Sequence, residues 1–269
     1  MDSDPRRQFA EELKSARELY PERRLTQTDL ARLARTSKST ISRLESGKGP
    51  IPPELPAVLD QLFKTDGLFK RLHEETLAQS FPAIHRRRMK LERESIAVWE
   101  WSQNVVPGLL QTSDYARAIL KKGDTRASEA EITNLLRARL ARQDILRSAT
   151  PPELRVVLCE SVLHRHLGHR DVMRGQLAAL LTHMEQPTTG IRVLPLDAEG
   201  HLLLAGSVSF LTAPNHVTAV CVEAYRTTGI VEEPEHVRAA QRAFEDLMGE
   251  ALSARRSADL IRDQMERLT

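Results

Sequence analysis

A chain of 269 residues has room for one large or two ordinary domains, and its 41% hydrophobic residues are sufficient for a packed core. Charged residues make up 28% but nearly balance, with a net charge of +2, so charge alone does not indicate a nucleic-acid partner. The two cysteines, Cys159 and Cys221, give no disulfide framework and favour a reducing, cytoplasmic setting. The charged N-terminus is unlike a signal peptide and no apolar run is long enough to span a membrane, so we expect no membrane partner.

The first predicted element is a helix from Phe9 to Tyr20, because its apolar residues recur at helical spacing and Pro21 follows. The loop after it carries Arg23 and Arg24, which are candidates for contacts with DNA phosphates. An ordinary solvated loop accounts for these two arginines equally well, so the sequence leaves both interpretations open.

Two short helices joined by a tight turn are predicted in the stretch from Leu25 to Gly47. The first covers Gln27 to Ala34 and is entered through Thr26, a good N-cap residue. Asp29, three residues later, answers Thr26 as a variant of the capping box. Leucines and alanines give this helix an apolar face, which we expect to be buried.

The second helix of the pair covers Lys38 to Ser46, with Ser37 as its N-cap and Gly47 as the residue that ends it. Its outward face is short, polar and basic, and it consists of Lys38, Ser39, Ser42 and Arg43. In a helix pair of this kind the second helix enters the DNA major groove. Lys and Arg match the acceptors of guanine there, and Ser and Thr bond several base edges. The spacing therefore predicts a DNA-reading helix.

This pattern, Q-x-x-L-A-x-x-A-x-x-S-x-S-T-I-S-R-L-E-S-G, resembles the xenobiotic-response-element family of helix-turn-helix regulators, which includes the phage repressor and Cro proteins. The resemblance spans about Phe9 to Phe63. It implies that Gln27 contacts a phosphate. It also implies a base-facing set made of Lys38, Ser39, Thr40, Ser42 and Arg43. The turn of the family reads Gly-Val-Ser, whereas Arg35 holds the glycine position here and must accept about 1 kcal/mol of strain or bend the turn differently.

After the motif, Lys48 is a further phosphate candidate, and Pro53 begins a helix that completes a compact bundle near residue 65. We therefore assign residues 1–65 to a helix-turn-helix DNA-binding domain and residues 66–85 to a helical linker, with the domain boundary anywhere from 65 to 85. The remainder, residues 86–269, is assigned to a larger domain for sensing, dimerisation or partner binding.

A basic run opens this larger domain and consists of Arg86, Arg87, Arg88 and Lys90. One interpretation is an additional phosphate contact beside the DNA-binding domain. We favour the other interpretation, the solvent face of a helix, because Glu92 and Glu94 stand at the i,i+4 positions that neutralise such a run.

The pattern of the larger domain is α+β, and that of the whole chain is mainly α. Ile96 to Trp101 predicts a strand that would carry Trp99 and Trp101 on one face. The other predicted strands are 154–159, 191–194, 207–211, 217–222 and 227–231, and the main predicted helices are 130–147, 171–185, 235–252 and 257–268.

The stretch VPGLLQTSDYARAIL, which begins at Val106, is similar to the signature of an actinobacterial C-terminal domain of uncharacterised function. That domain is commonly fused to this kind of helix-turn-helix, as in WhiJ-like developmental regulators. The resemblance runs from about residue 81 to 262, and Glu223 matches an acidic position of the family. It implies a regulator that works beside a small partner protein encoded nearby, and it implies no established ligand or catalysis.

Few residues suggest a chemical site. The dense histidine cluster of His164, His166 and His169 has no cysteine or carboxylate placed to complete a tetrahedral metal site, so we favour surface histidines. Glu160 and Glu223 each follow a strand-like run, and paired carboxylates can do acid–base work, but ordinary strand-end acids are commoner. We expect no enzymatic activity, no cofactor and no metal.

Two hypotheses of different classes remain. The first is a homodimeric transcriptional regulator that binds double-stranded DNA and whose C-terminal domain dimerises and binds a small partner protein or ligand. The second is an antitoxin-like interaction protein that sequesters a small partner and regulates its own operon. Both need the same N-terminal domain, so that domain does not separate them.

Overall fold

The computed structural model describes residues 4–21, 23–79, 83–198, 200–224 and 227–268. The chain divides into two compact units, Met1–Phe81 and Pro82–Thr269. In the described ranges no helix combines the length and the apolar character that crossing a membrane requires.

The N-terminal unit is a bundle of helices around one apolar core. Its helices are α1 Pro5–Glu18, α2 Gln27–Leu33, α3 Lys38–Glu45, α4 Leu55–Phe63 and α5 Leu68–Gln79. The core joins all of them and includes Phe9, Leu30, Ile41, Leu59 and Phe69. The predicted helix pair is confirmed, and its caps are the expected ones: Thr26 and Asp29 form a complete capping box, and the Ser37 hydroxyl accepts the backbone N–H of Thr40.

Helix α5 belongs to the N-terminal unit, which ends in the later part of the predicted 65–85 range. The sequence assigned residues 66–85 to a linker, but Phe69 and Leu72 of α5 are buried in the core of the N-terminal unit. The side chain of Asp60 caps the start of α5, since it accepts the backbone N–H groups of Phe69 at 2.9 Å and Lys70 at 3.0 Å. The unit therefore extends past residue 65, and residues 80–82 of the predicted linker lie outside the described residues.

The C-terminal unit is organised by a mixed sheet rather than by its helices. Its strands are β1 Ala97–Ser102, β2 Glu153–Cys159, β3 Thr189–Leu194, β4 Ser207–Thr212, β5 Thr218–Ala224 and β6 Thr227–Val231. The strand order is β3-β2-β1-β4-β5-β6; β1, β2 and β3 are parallel, and the pairs β1–β4, β4–β5 and β5–β6 are antiparallel.

Helices cover both faces of this sheet. They are α6 Ala83–Glu94, α7 Ser113–Gly123, α8 Glu129–Arg142, α9 Ser161–His164, α10 Arg170–Met184, α11 Pro234–Glu250 and α12 Ala254–Glu266, with 3₁₀ turns at Gly108–Leu110 and Gln143–Arg147. The helix predicted over 130–147 is thus α8 followed by a 3₁₀ turn. The expected α+β organisation of this unit is confirmed.

The two tryptophans of β1 share one face of the sheet, as the alternation of the sequence predicted. Trp101 is buried, and Trp99 stacks on Phe244 of α11 with ring centroids 5.7 Å apart. Val98, on the opposite face, belongs to the larger core that α10 and α12 also line. Successive side chains of β1 point to opposite faces of the sheet. They therefore separate an aromatic layer under α11 from an aliphatic layer on the other side.

Both motif helices end in a Schellman motif, but with different residues in the left-handed position. The backbone N–H of Thr36 donates to the carbonyl oxygen of Ala31 at 2.8 Å after α2, and Lys48 closes α3 in the same way. The left-handed residue is Arg35 after α2, with φ of 51°, and Gly47 after α3, with φ of 67°. Arg35 therefore adopts the glycine-like backbone and accepts the strain instead of bending the turn differently.

The paired turns give a stability test. Replacing Arg35 with Gly should raise the free energy of unfolding by about 0.5–1 kcal/mol, because the left-handed strain is relieved and is only partly offset by the larger entropy of the unfolded glycine chain. Gly47→Ala should lower it by about 1 kcal/mol, since a Cβ at Gly47 would meet nothing within 4 Å and only the backbone strain acts. Urea unfolding of the fragment Met1–Phe81 measures both; equal stabilities of the three proteins would contradict the assignment of strain to this turn.

Candidate functional site

Helix α3 presents a short polar and basic face to solvent. Ile41 and Leu44 are buried in the core of the unit and fix the inner side of the helix. Lys38, Ser39 and Arg43 are exposed on the opposite side, whereas Thr40 and Ser42 are half-buried. The structure thus brings the predicted base-facing set together on one element, with Lys38, Ser39 and Arg43 as its exposed members.

Hydrogen bonds distinguish the hydroxyl groups of this face from its cations. The Ser37 hydroxyl lies 2.8 Å from the hydroxyls of both Ser39 and Thr40, so these side chains are engaged in the N-cap of α3. The Nε of Arg43 donates to the Ser39 carbonyl oxygen at 3.3 Å, and its Nη groups have no hydrogen-bond partner among the described residues. Arg43 therefore retains the donors that a bidentate contact with guanine needs.

A buried ion pair holds α3 against α1. Arg17 of α1 donates from Nε to one oxygen of Glu45 at 2.5 Å and from Nη2 to the other at 3.1 Å, and its Nη1 donates to the carbonyl of Leu25 at 2.8 Å. Both charged side chains are less than a tenth exposed. The hydrogen bond to Glu45 raises the pKa of Arg17, which burial alone would lower.

This ion pair was not predicted from the sequence, although the position of Arg17 indicates it. Arg17 lies four residues after Leu13 and eight after Phe9, on the apolar stripe of α1. A charged residue on such a stripe needs a buried partner. Gln27 joins the same group, because its amide donates to Glu45 at 2.9 Å. One of the two amide hydrogens of this predicted phosphate ligand is therefore already used inside the protein.

The other predicted phosphate ligands lie on the surface with different partners. Arg23 is 3.3 Å from Asp29, and Arg24 is 2.9 Å from Glu18; both arginine side chains are mostly exposed. Lys48 is exposed and makes no ion pair with any residue that the structure describes. Lys48 is thus the phosphate candidate with the fewest competing contacts.

A second group of polar residues lies largely in the interior of the C-terminal unit, with Glu223 at its exposed edge. It fills the space between α6, α8 and the sheet face formed by β1, β4 and β5. We call it the charged seam, and it consists of Arg88, Glu92, Glu100, Arg139, Arg142, Ser209, Cys221 and Glu223. Carboxylates and guanidinium groups are rarely buried unless they pair with one another, so this grouping is the main candidate site of the unit.

Glu92 is the centre of the seam. It accepts Nε and Nη2 of Arg142 at 2.8 and 2.7 Å and Nη1 of Arg88 at 2.9 Å. Burial acts to raise the pKa of Glu92, but the charges and hydrogen bonds of Arg142 and Arg88 outweigh it and hold this pKa at about 2. The favoured interpretation of the basic run is therefore wrong for one pair: Arg88 and Glu92 do pair at i,i+4, but in the interior and not on the solvent face.

Glu100 of β1 has the opposite character. Burial raises its pKa to about 7; the neighbouring charge of Arg88 acts against this, and the charges of Glu223 and Glu92 add to it. Burial likewise raises the pKa of the Cys221 thiol to about 11. At neutral pH the seam therefore contains a carboxyl group that is only partly ionised and a thiol that stays protonated.

The remaining predicted site residues do not converge. Glu160 follows β2 and accepts the backbone N–H of Leu196 at 3.0 Å, while Glu223 lies on β5, with β1 and β4 between them. His164 lies 3.3 Å from Glu160. Within the described ranges, no group of histidine, cysteine or acidic residues is arranged to hold a metal ion.

The N-terminal unit, with its capped helix pair and exposed basic second helix, defines a helix-turn-helix DNA-binding protein. A family model described as a helix-turn-helix domain matches residues 8–71, which include the first turn of α5. A second family model, described as a domain of unknown function, DUF5753, matches residues 85–263. The chain belongs to this DUF5753 family. No curated protein and no solved structure matches it.

The raised pKa of Glu100 gives a test by pH. The unfolded carboxyl titrates near pH 4.5 and the folded one near pH 7, so the folded state binds the extra proton between these values and loses stability as the pH rises through 7. We expect a loss of about 3 kcal/mol between pH 5 and pH 8 at most, since one unit of pKa corresponds to about 1.4 kcal/mol. Urea unfolding of the wild type and of Glu100→Gln across this range measures it.

All other titratable groups are common to both proteins, so their contributions cancel in the comparison. The Glu100→Gln variant should lack the loss of stability that Glu100 causes as the pH rises, so it should be the more stable protein at pH 8. Parallel stability curves for the two proteins would contradict the raised pKa.

Proposed function

We propose that the protein is a sequence-specific transcriptional regulator of the xenobiotic-response-element type, which reads double-stranded DNA through α3. The observation that supports it most directly is the fixed basic face of this helix. Ile41, Leu44 and the Arg17–Glu45 ion pair hold the helix, while Arg43 keeps its Nη groups unbonded among the described residues. A rigid helix with accessible donors is what base reading in the major groove requires.

Phosphate contacts would then come from residues around the helix pair. Lys48 needs no rearrangement, whereas Arg23 and Arg24 would exchange their exposed partners Asp29 and Glu18 for phosphates. Exposed ion pairs contribute only about 0.2–1 kcal/mol, so breaking them for a phosphate contact costs little free energy. Gln27 would use its second amide hydrogen.

For the C-terminal unit we propose a non-catalytic sensor that also dimerises. Its central carboxylate, Glu92, is held by two arginines and the Cys221 thiol is protonated, which suits recognition better than chemistry. The antitoxin-like role remains the alternative. A stoichiometric complex with a small protein encoded beside the gene, with occupancy confined to the gene's own operon, would favour that alternative.

Arg43 is the residue to test for base reading. Arg43→Ala should weaken binding to the selected DNA site by about 1–3 kcal/mol and relax the preference at one base pair. Lys48→Ala should instead weaken all sequences alike, because phosphate contacts carry no sequence information. Fluorescence anisotropy titrations on the selected site and on scrambled DNA distinguish the two variants. As a charge-matched control we suggest Arg7→Ala on α1, whose guanidinium pairs with Glu11. Unchanged affinity and unchanged preference in the Arg43 variant would show that the assigned face is wrong.

We also expect the full chain to form a homodimer through the C-terminal unit. A single helix-turn-helix contacts too few bases to distinguish its site from other DNA, and dimers bind two half-sites a helical turn or a multiple apart. Light scattering should give a dimer for the full chain and a monomer for the fragment Met1–Phe81. A full chain that stays monomeric, both free and on its selected DNA, would refute this expectation.

A further inference from the structure

The hydrogen bonds of the charged seam leave one arginine without a counter-ion. Arg88 and Arg142 share the carboxylate of Glu92, and the Nε of Arg88 also lies 3.1 Å from a Glu223 oxygen. Arg139, one turn before Arg142 on α8, has no carboxylate oxygen within 4.0 Å among the described residues. Its Nη1 donates to a neutral acceptor, the side-chain oxygen of Gln111, at 3.0 Å.

The unsatisfied part of Arg139 has a defined geometry. Its Nε is buried and has no hydrogen-bond partner in the part of the chain that the structure describes, and Nη2 makes no hydrogen bond there either. These two nitrogens form one edge of the guanidinium plane. Two parallel N–H donors on one edge match the two oxygens of a carboxylate.

This edge is held in place by its neighbours. The Nε2 of Gln111 donates to the carbonyl of Val106 at 2.7 Å, which turns its oxygen toward Arg139. The amide of Gln143 in turn donates to the backbone carbonyl of Gln111 at 2.7 Å. The guanidinium is therefore held at Nη1, which fixes the orientation of its Nε–Nη2 edge.

The charge around Arg139 favours a single negative charge. Burial lowers the pKa of Arg139 to about 10, and the positive charges of Arg142 and Arg88 act in the same direction. Three arginines face Glu92 and Glu223, while Glu100 is only partly ionised at neutral pH. The seam thus carries an excess of at most one positive charge, which a carboxylate balances and which a phosphate dianion would exceed.

We infer that the charged seam binds a small organic carboxylate, with the Nε–Nη2 edge of Arg139 as its anchor. The ligand must be small because the Nε of Arg139 is buried, and the Glu223 side chain, 42% exposed, marks where the seam reaches the surface. This inference rests on the proposed sensor role of the C-terminal unit and gives that sensor a ligand class.

The test uses acetate as the probe on the full chain. Saturation-transfer NMR should detect saturable acetate binding to the wild type, and acetate should raise the unfolding temperature relative to chloride at equal ionic strength. Inorganic phosphate should bind more weakly than acetate. Arg139→Gln should lose both effects, with an affinity reduced about tenfold or more.

Two further variants separate binding from folding. Arg137→Gln is the matched control, because Arg137 is on the same helix and, among the described residues, bonds only Asn134 on its surface. This variant should bind acetate like the wild type. Arg139→Lys keeps the charge but not the two-donor edge, so it should fold and still bind acetate about tenfold more weakly. Equal acetate affinity of the wild type and Arg139→Lys, or no saturable binding to the wild type, would overturn the inference.

Acetate binding and the affinity for the selected DNA are measured separately. Acetate binding that depends on Arg139 and changes the affinity for the selected DNA supports both the site and the sensor role. Acetate binding without any effect on DNA supports the site and counts against the sensor. Absence of acetate binding overturns the site whatever the DNA titration gives.

Discussion

A buried carboxylate that accepts hydrogen bonds from separate elements is the interaction on which both units depend. Glu45 joins α3 to Arg17 of α1 and to Gln27 at the start of α2, and Glu92 joins Arg88 to Arg142. In each case the carboxylate is almost fully buried. Removing one partner of such a pair leaves an uncompensated buried charge and costs about 3–5 kcal/mol, so each pair restricts its unit to one arrangement of helices.

In the N-terminal unit this restriction serves the recognition helix directly. Helix α3 is only 8 residues long, and a helix of that length has little stability of its own. Its orientation therefore comes from Ile41 and Leu44 on one side and from Glu45 at its end. The remaining, solvent-exposed face of α3 is small, polar and basic. The contacts that hold both helices of the pair outweigh the backbone strain at Arg35.

In the C-terminal unit the buried charges are less evenly matched. Glu92 is fully used by two arginines, and Glu100 stays partly protonated because burial and two other carboxylates oppose its ionisation. Arg139 keeps an unsatisfied edge in the same space. A purely structural network would be expected to satisfy each of its members, so the imbalance is the feature of this unit that most suggests recognition of a ligand.

The sequence by itself determined the helix pair, its caps and its outward face. Thr26 with Asp29, Ser37 with Thr40, and the end of α3 at Gly47 involve groups a few residues apart, so local spacing is sufficient to predict them. The strand with its two tryptophans on one face followed from the alternation of β1 in the same way.

Only the tertiary structure decided which buried residues meet. Arg17 and Glu45 are 28 positions apart, and Glu92 and Arg142 are 50 apart. Periodicity shows which side of a helix is covered, but not what covers it, so the Arg88–Glu92 pair was assigned to solvent and α5 to a linker. Arg139 could not be predicted for the same reason. Whether an arginine has a counter-ion depends on the packing of the interior, and no local sequence pattern indicates it.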